Sequence, residues 1–165
     1  MAAALPNAQG DVFRLTDEIL DRGIEASRAS ARKRMILPLH RVQDAPVQRM
    51  LNFFQPGTYV RPHQHSGDGA IETILVVRGC LGFVIFDEFG EISETHRLEA
   101  GGLGLVDIED CVWHGMVALA PDTVILEIKK GPYSAMSDKD FASWAPEEGA
   151  QGFEDVVRRI EGMFL

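Results

Sequence analysis

"RPHQHSGDGAIE", residues 61–72, sets two histidines one residue apart, then a soft run of Ser, Gly, Asp and Gly, then a lone glutamate ahead of an apolar stretch. In an extended strand alternate side chains share a face, so Tyr59, Arg61, His63 and His65 are expected to point the same way. Two imidazoles on one face can converge, and neutral imidazole is a good ligand for zinc, iron, nickel, copper and manganese. Taken alone, such a pair is as readily two ordinary strand histidines. "SGDG" carries the residues of a turn.

Two further residues bear on the choice. Glu72 opens "ETILVV" and shares its face with Ile74 and Val76, and a carboxylate in apolar company needs a compensating partner. In "VWHGMVAL" Trp113 and His114 face opposite sides, which leaves His114 with Met116 and Ala118. Each alone reads as a hydrogen-bonded core group. Together, beside the His-x-His strand, they favour a metal group.

The text on either side supports a β-rich core. From about residue 34 to 130 short apolar runs alternate with turn residues, the pattern of an antiparallel sandwich or barrel. The predicted strands are "VQRMLNFF", "TYVRPHQH", "ETILVVRG", "CLGFVIF", "GLGLVDI", "VWHGMVAL" and "TVILEIKK". Ahead of them residues 15–30 read as an amphipathic helix capped by Thr16, with Leu15, Ile19, Leu20 and Ile24 on one face and Gly23 as its weak point. Beyond them Ser137 is expected to cap a short helix through "DKDFASW". Phe153, Val156, Val157, Ile160 and Phe164 then mark a terminal helix that docks on the barrel or on a second subunit. The expectation is one domain over 1–165: helix and arm at about 15–46, barrel at 47–130, helical tail at 131–165.

The motifs resemble those of the cupin superfamily. Gly57, His63, His65, Glu72 and Gly79 follow the first cupin motif, with a spacer of six residues, 66–71, longer than the family's usual one. His114 occupies the histidine of the second motif, although Glu109 and Cys111 replace its proline and glycine. The stretches "PVQRMLNFFQPGTYVRPHQH", "IFDEFGEI", "VWHGMVALAPDTVILEIKKGPY" and "KDFASWAPEEG" together are similar to the WbuC-type cupin-fold metalloproteins, over roughly residues 19–149. The resemblance implies an all-β double-stranded β-helix, a jelly-roll barrel flanked by an N-terminal helix and C-terminal helices. It also implies a divalent transition metal (Fe, Mn, Ni, Zn or Cu) held by His63, His65, Glu72 and His114, and an association with carbohydrate or nucleotide-sugar chemistry. Such a ligand set leaves room for water or substrate, which permits Lewis-acid catalysis, activation of a bound water, or oxygen chemistry.

Glu72, Arg61 and Tyr59 are the candidate catalytic side chains, with Arg61 suited either to an anionic group or to holding Glu72. At most one of Arg49 and Asn52 points inward, and Glu127 and Lys129 are expected to face solvent or pair on the surface. Tyr133 reads as an aromatic on the rim, and His40 and His96 lack converging ligands.

Composition narrows the partners. The net charge of −9 argues against nucleic acid and anionic membranes, and the basic run "RASARKRM" is short and lacks interleaved aromatics. Cys80 and Cys111 have neither a disulfide framework nor a CxxC spacing, and no stretch reaches the roughly 18 apolar residues that span a bilayer. The expectation is a cytoplasmic protein with a small-molecule partner, pairing as a homodimer. Two functions compete: a metal-dependent enzyme on a sugar, nucleotide-sugar or small anion, of isomerase, epimerase or oxygenase type, and a non-catalytic binding or sensing module accessory to polysaccharide biosynthesis.

Overall fold

Ten strands pair in the computed structural model, which describes residues 4–67, 69–134 and 139–165. In chain order they are β1 (Arg34–Pro38), β2 (Val47–Phe54), β3 (His63–Gln64), β4 (Glu72–Arg78), β5 (Cys80–Phe86), β6 (Ile92–Glu99), β7 (Leu105–Ile108), β8 (His114–Ala118), β9 (Thr123–Lys130) and β10 (Asp140–Phe141). They form two five-stranded sheets, β1-β2-β9-β4-β7 and β10-β3-β8-β5-β6, with antiparallel pairing throughout. The chain passes from one sheet to the other at Gly79, whose φ is +79° and whose added Cβ would lie 2.6 Å from Thr123 Oγ1. Glycine alone suits both demands.

The inner faces bury Phe54, Ile74, Val76 and Ile125 of the first sheet against Leu81, Phe83, Leu98 and Met116 of the second. Each outer face takes a helix. Helix α1 (Asp17–Ala29) begins at Thr16, whose hydroxyl accepts from the Ile19 N–H, and packs Ile24 on Met35, Leu37, Leu51 and Phe53 of the first sheet. Gly23 lowers helix propensity, yet a Cβ there would run into the Phe53 ring, so close helix–sheet contact explains it. Helix α2 (Phe153–Gly162) lays Val157 and Ile160 on Val84, Phe86 and Val117 of the second sheet. The terminal helix therefore docks on its own barrel. The architecture is the jelly-roll barrel with flanking helices that the sequence led us to expect.

Several elements differ from expectation. The strand predicted over 58–65 shrinks to β3, because the Thr58 N–H closes a turn onto Gln55 O and Pro62 has no N–H to give a ladder. Strand β1 lies inside the expected arm, and β6 is an edge strand with one fully buried side chain, Leu98. In place of the helix expected over 138–144, Asp140 and Phe141 pair with Gln64 and His63, while Ser137 and Asp138 lie outside the described residues. Among the described residues α2 is the one C-terminal helix.

Candidate metal centre

Strands β3 and β8 set His63 directly opposite His114, and β4 brings Glu72 across from the other sheet. His65 follows one residue after β3. All four side chains are buried, and one ligand atom from each lies within 4.8 Å of the others. Glu72 Oε2 stands 3.3 Å from Nε2 of both His65 and His114.

The backbone aims two of the rings. His63 Nδ1 donates to the Arg61 carbonyl and His114 Nδ1 to the Val112 carbonyl, each at 2.9 Å. A carbonyl oxygen only accepts, so Nε2 of each ring is left with its lone pair facing the group. Among the described residues these two Nε2 atoms and Glu72 Oε2 are buried without a hydrogen-bond partner. Each such atom costs about 1–3 kcal/mol. Three of them converging on one point fit a metal ion, and imidazole with carboxylate suits Fe, Mn, Ni, Cu or Zn.

Electrostatics favour a neutral His63 and an ionised Glu72. Burial, with the nearby Lys139 and His114, holds His63 well below the usual imidazole value. Burial pushes the Glu72 carboxyl up, but His114, His65 and Lys139 together outweigh it, and its pKa falls well below the carboxylate range. The long 66–71 connection still returns Glu72 to the histidines, with Ala70 N–H closing a turn onto Gly67 O and the Ser66 hydroxyl donating to the Asp140 carboxylate. Cys111 takes φ +60° where the second cupin motif has glycine, and its N–H donates to the His65 carbonyl at 2.8 Å. That bond ties the loop before His114 to the segment carrying His65.

A cleft of about 770 Å³ opens beside Glu72. Arg61 lines it, with Nη2 donating to the Ala142 carbonyl at 3.1 Å and its guanidinium 5.1 Å from the centre of the Phe141 ring. Tyr59 is placed elsewhere. Residues 58–62 are outside any strand, so strict alternation fails there, and the Tyr59 hydroxyl donates to Pro146 O while its ring packs on Phe153. Burial pushes that phenol up to about 12, which keeps it a donor.

The expectation for Glu127 and Lys129 is also corrected: they are 8% and 7% exposed, face into the cleft, and stand 3.8 Å apart. The reason lies on the opposite face of β9, where Val124 and Leu126 pack into the cluster beneath α1 and leave the odd-numbered residues to point inward. Asn52 is the inward residue of β2 and donates to Glu127 Oε2 at 2.8 Å, whereas Arg49 is exposed. Burial and the neighbouring Glu72 carboxylate push Glu127 up to about 7, against the pull of Lys129. Tyr133 sits on the cleft rim, 42% exposed. His40 bonds the backbone of Arg49, and His96 lies on the surface near Glu94; neither joins the group. The basic run is matched internally, Arg28 by Asp122 and both Arg32 and Arg34 by Glu148.

Comparison with known proteins adds to this geometry. A family model described as "Domain of unknown function (DUF6016)" matches residues 15–98. No curated protein matches the chain. Among solved structures, an oxalate oxidase in complex with the substrate analogue glycolate shares 14% identity at a TM-score of 0.53, covering 82% of this chain and 74% of that one. The capsular polysaccharide assembling protein CapF from Staphylococcus aureus shares 20% at 0.53, covering 64% of this chain but 28% of CapF, so the likeness is to less than a third of that protein. KdgF from Halomonas sp. shares 21% at a TM-score of 0.49, covering 62% of this chain and 82% of that one. At these identities the likeness shows the fold, and the fold is that of the cupins.

Proposed function

The chain belongs to the DUF6016 family, and from its site we propose that it is a small metal-dependent enzyme acting on a sugar, nucleotide-sugar or other small anionic molecule. The observation that carries this reading is the buried group of His63, His65, Glu72 and His114 beside an open cleft. These four residues would hold a divalent transition metal, which when bound supplies Lewis-acid or redox chemistry. The rest falls to the chain's own residues. Glu72, the carboxylate of the group and part of the cleft lining, is the chain's acceptor there. Arg61, on the cleft wall, presents its guanidinium to an anionic group of the substrate. Phe141 and Met116 add apolar surface to the cleft wall. Tyr59 acts as a strut that joins the 144–150 segment to α2, since its hydroxyl and ring are both engaged there.

Isomerisation or epimerisation, and oxygenation where iron is the metal, are the reaction classes this site suits. The carbohydrate reading and the WbuC-type placement rest on the resemblance of the flanking text, and a cytoplasmic location on the composition of the sequence. No helix among the described residues is long and apolar enough to cross a membrane. Pairing of two copies is supported by Leu75, Leu105 and Ile128, exposed on the face of β4, β7 and β9 that α1 leaves open. Sedimentation velocity reads that directly.

The deciding experiment loads the protein separately with Fe, Mn, Ni, Cu and Zn, measures metal per chain, and screens turnover on aldoses, sugar phosphates, nucleotide sugars and small carboxylates. Stoichiometric metal and turnover that disappear in a folded His63→Ala variant uphold the enzyme. Tight binding without turnover across the panel transfers the site to the competing role, a ligand-binding module. Absence of bound metal after every loading would sink both forms.

A further inference from the structure

Three buried polar side chains beside the centre remain without a role in that reading. Lys129 lies opposite Glu72 in the β4–β9 register, Glu127 is the next inward residue on β9, and Asn52 reaches Glu127 from β2. Asn52 is 4% exposed, and the other two are below a tenth. The inward residues next to them on β2 and β9, Met50, Phe54 and Ile125, are apolar. Burying an ammonium, a carboxylate and an amide there carries a desolvation cost that aliphatic residues of the same volume would not, and the 3.8 Å ion pair between two of them offsets part of it. The row also borders open volume, since all three side chains line the 770 Å³ cleft. Polar groups that converge on one stretch of a cleft wall fix the orientation of a ligand.

Their chemistry defines what they would read. A carboxylate accepts from two adjacent hydroxyls at once, while an amide and an ammonium donate to the oxygens on either side. Phe54 and Met50 on the cleft wall offer apolar surface to the C–H side of such a molecule. We infer that Asn52, Glu127 and Lys129 form a hydroxyl-reading subsite, and that the ligand of this cleft is a polyhydroxylated carboxylate whose acidic head faces the Glu72 end. The inference rests on the small-anion reading of the same site and narrows it to a class.

The test uses zinc-loaded full-length protein and calorimetric titration with two six-carbon acids. D-gluconate and 2-hydroxyhexanoate share the 2-hydroxycarboxylate head and differ only in the hydroxyls from carbon 3 onward. The expected result is at least a tenfold preference for gluconate, which falls to within about twofold in Glu127→Gln and in Asn52→Leu. Two variants are needed because Glu127→Gln also removes the carboxylate charge 3.8 Å from Lys129. Zinc content per chain and the thermal midpoint establish that each is folded and loaded. Equal affinity of the wild type for both acids, or a preference that survives both substitutions, overturns the subsite while leaving the small-anion reading in place. Failure of loaded protein to bind either acid overturns both.

Discussion

The two ends of the barrel are built on the same strands and have opposite characters. Strand β4 runs from Glu72 to Ile74 and Val76, β9 runs back from Lys129 and Glu127 to Ile125, and β8 runs from His114 to Met116 and Ala118. At one end the inward residues are apolar except Thr123, whose hydroxyl bonds the Cys80 carbonyl, and at the other histidines, carboxylates and an ammonium are buried around a cleft. Stability should therefore reside in the floor and binding in the mouth. The division comes from where along each strand the polar residues fall, and not from separate elements.

Substitutions can break that contrast, beginning with the floor. Ile125→Ala, at a fully buried site, should cost about 2–5 kcal/mol in urea unfolding while metal content stays stoichiometric. A loss of metal before stability would mean that the two ends are not separable. The mouth should show the reverse. His63→Ala should abolish stoichiometric metal and leave the unfolding midpoint of metal-free protein near that of metal-free wild type. Loaded wild type should gain about 4 kcal/mol when free metal is 1,000 times its Kd. Equal gains in His63→Ala would place the metal elsewhere.

The hydroxyl-reading row sharpens the comparison further. The triple variant Asn52→Leu, Glu127→Leu and Lys129→Met should be as stable as metal-free wild type, or more stable by about 1–4 kcal/mol, because each desolvated polar group is replaced by one that packs. Marked destabilisation would return the row to the fold. The smallest effect belongs to the rim. Burial raises Glu148, but Arg32 and Arg34 outweigh it and hold the carboxyl below its usual value. Its contribution is therefore present above the ordinary carboxylate pKa and lost as pH falls through the lower native value. Glu148→Gln should cost below about 1 kcal/mol at neutral pH, and the difference from wild type should close in acid. A difference that widens in acid would reverse the sign of that pairing.

Much of this was legible in the sequence, for reasons that differ by element. Strands β2, β4, β5 and β9 appear with the ends expected within a residue, because long apolar runs there stop at Gln55-Pro56-Gly57, Gly79, Asp87 or Gly131. His63, His65, Glu72 and His114 were found from their types and spacing, and the structure brings them together. Strand β6 was not legible, since an edge strand such as "ISETHRLE" buries almost nothing and shows no alternation. Strand β10 depends on a pairing with β3 more than seventy residues away, for which two residues leave no local signal. Strict alternation misplaces Tyr59, because the segment that carries it contains Pro62 and a turn. For Glu127 and Lys129 the cause is subtler. Alternation separates the faces of β9 but does not say which is the interior, and here the apolar set lies beneath a helix on the outside.

The bonds from His63 Nδ1 to Arg61 O and from His114 Nδ1 to Val112 O have one more consequence. Many metal-binding imidazoles are fixed by a neighbouring carboxylate side chain, so that mutation of the neighbour disturbs both tautomer and affinity. In these two rings the tautomer is written by the main chain, two residues before the ring itself. Any residue at 61 supplies the same carbonyl. Position 61 can therefore be exchanged to suit a different ligand without loosening the histidine it orients, which makes the cleft wall evolvable at a point where the metal site is fixed.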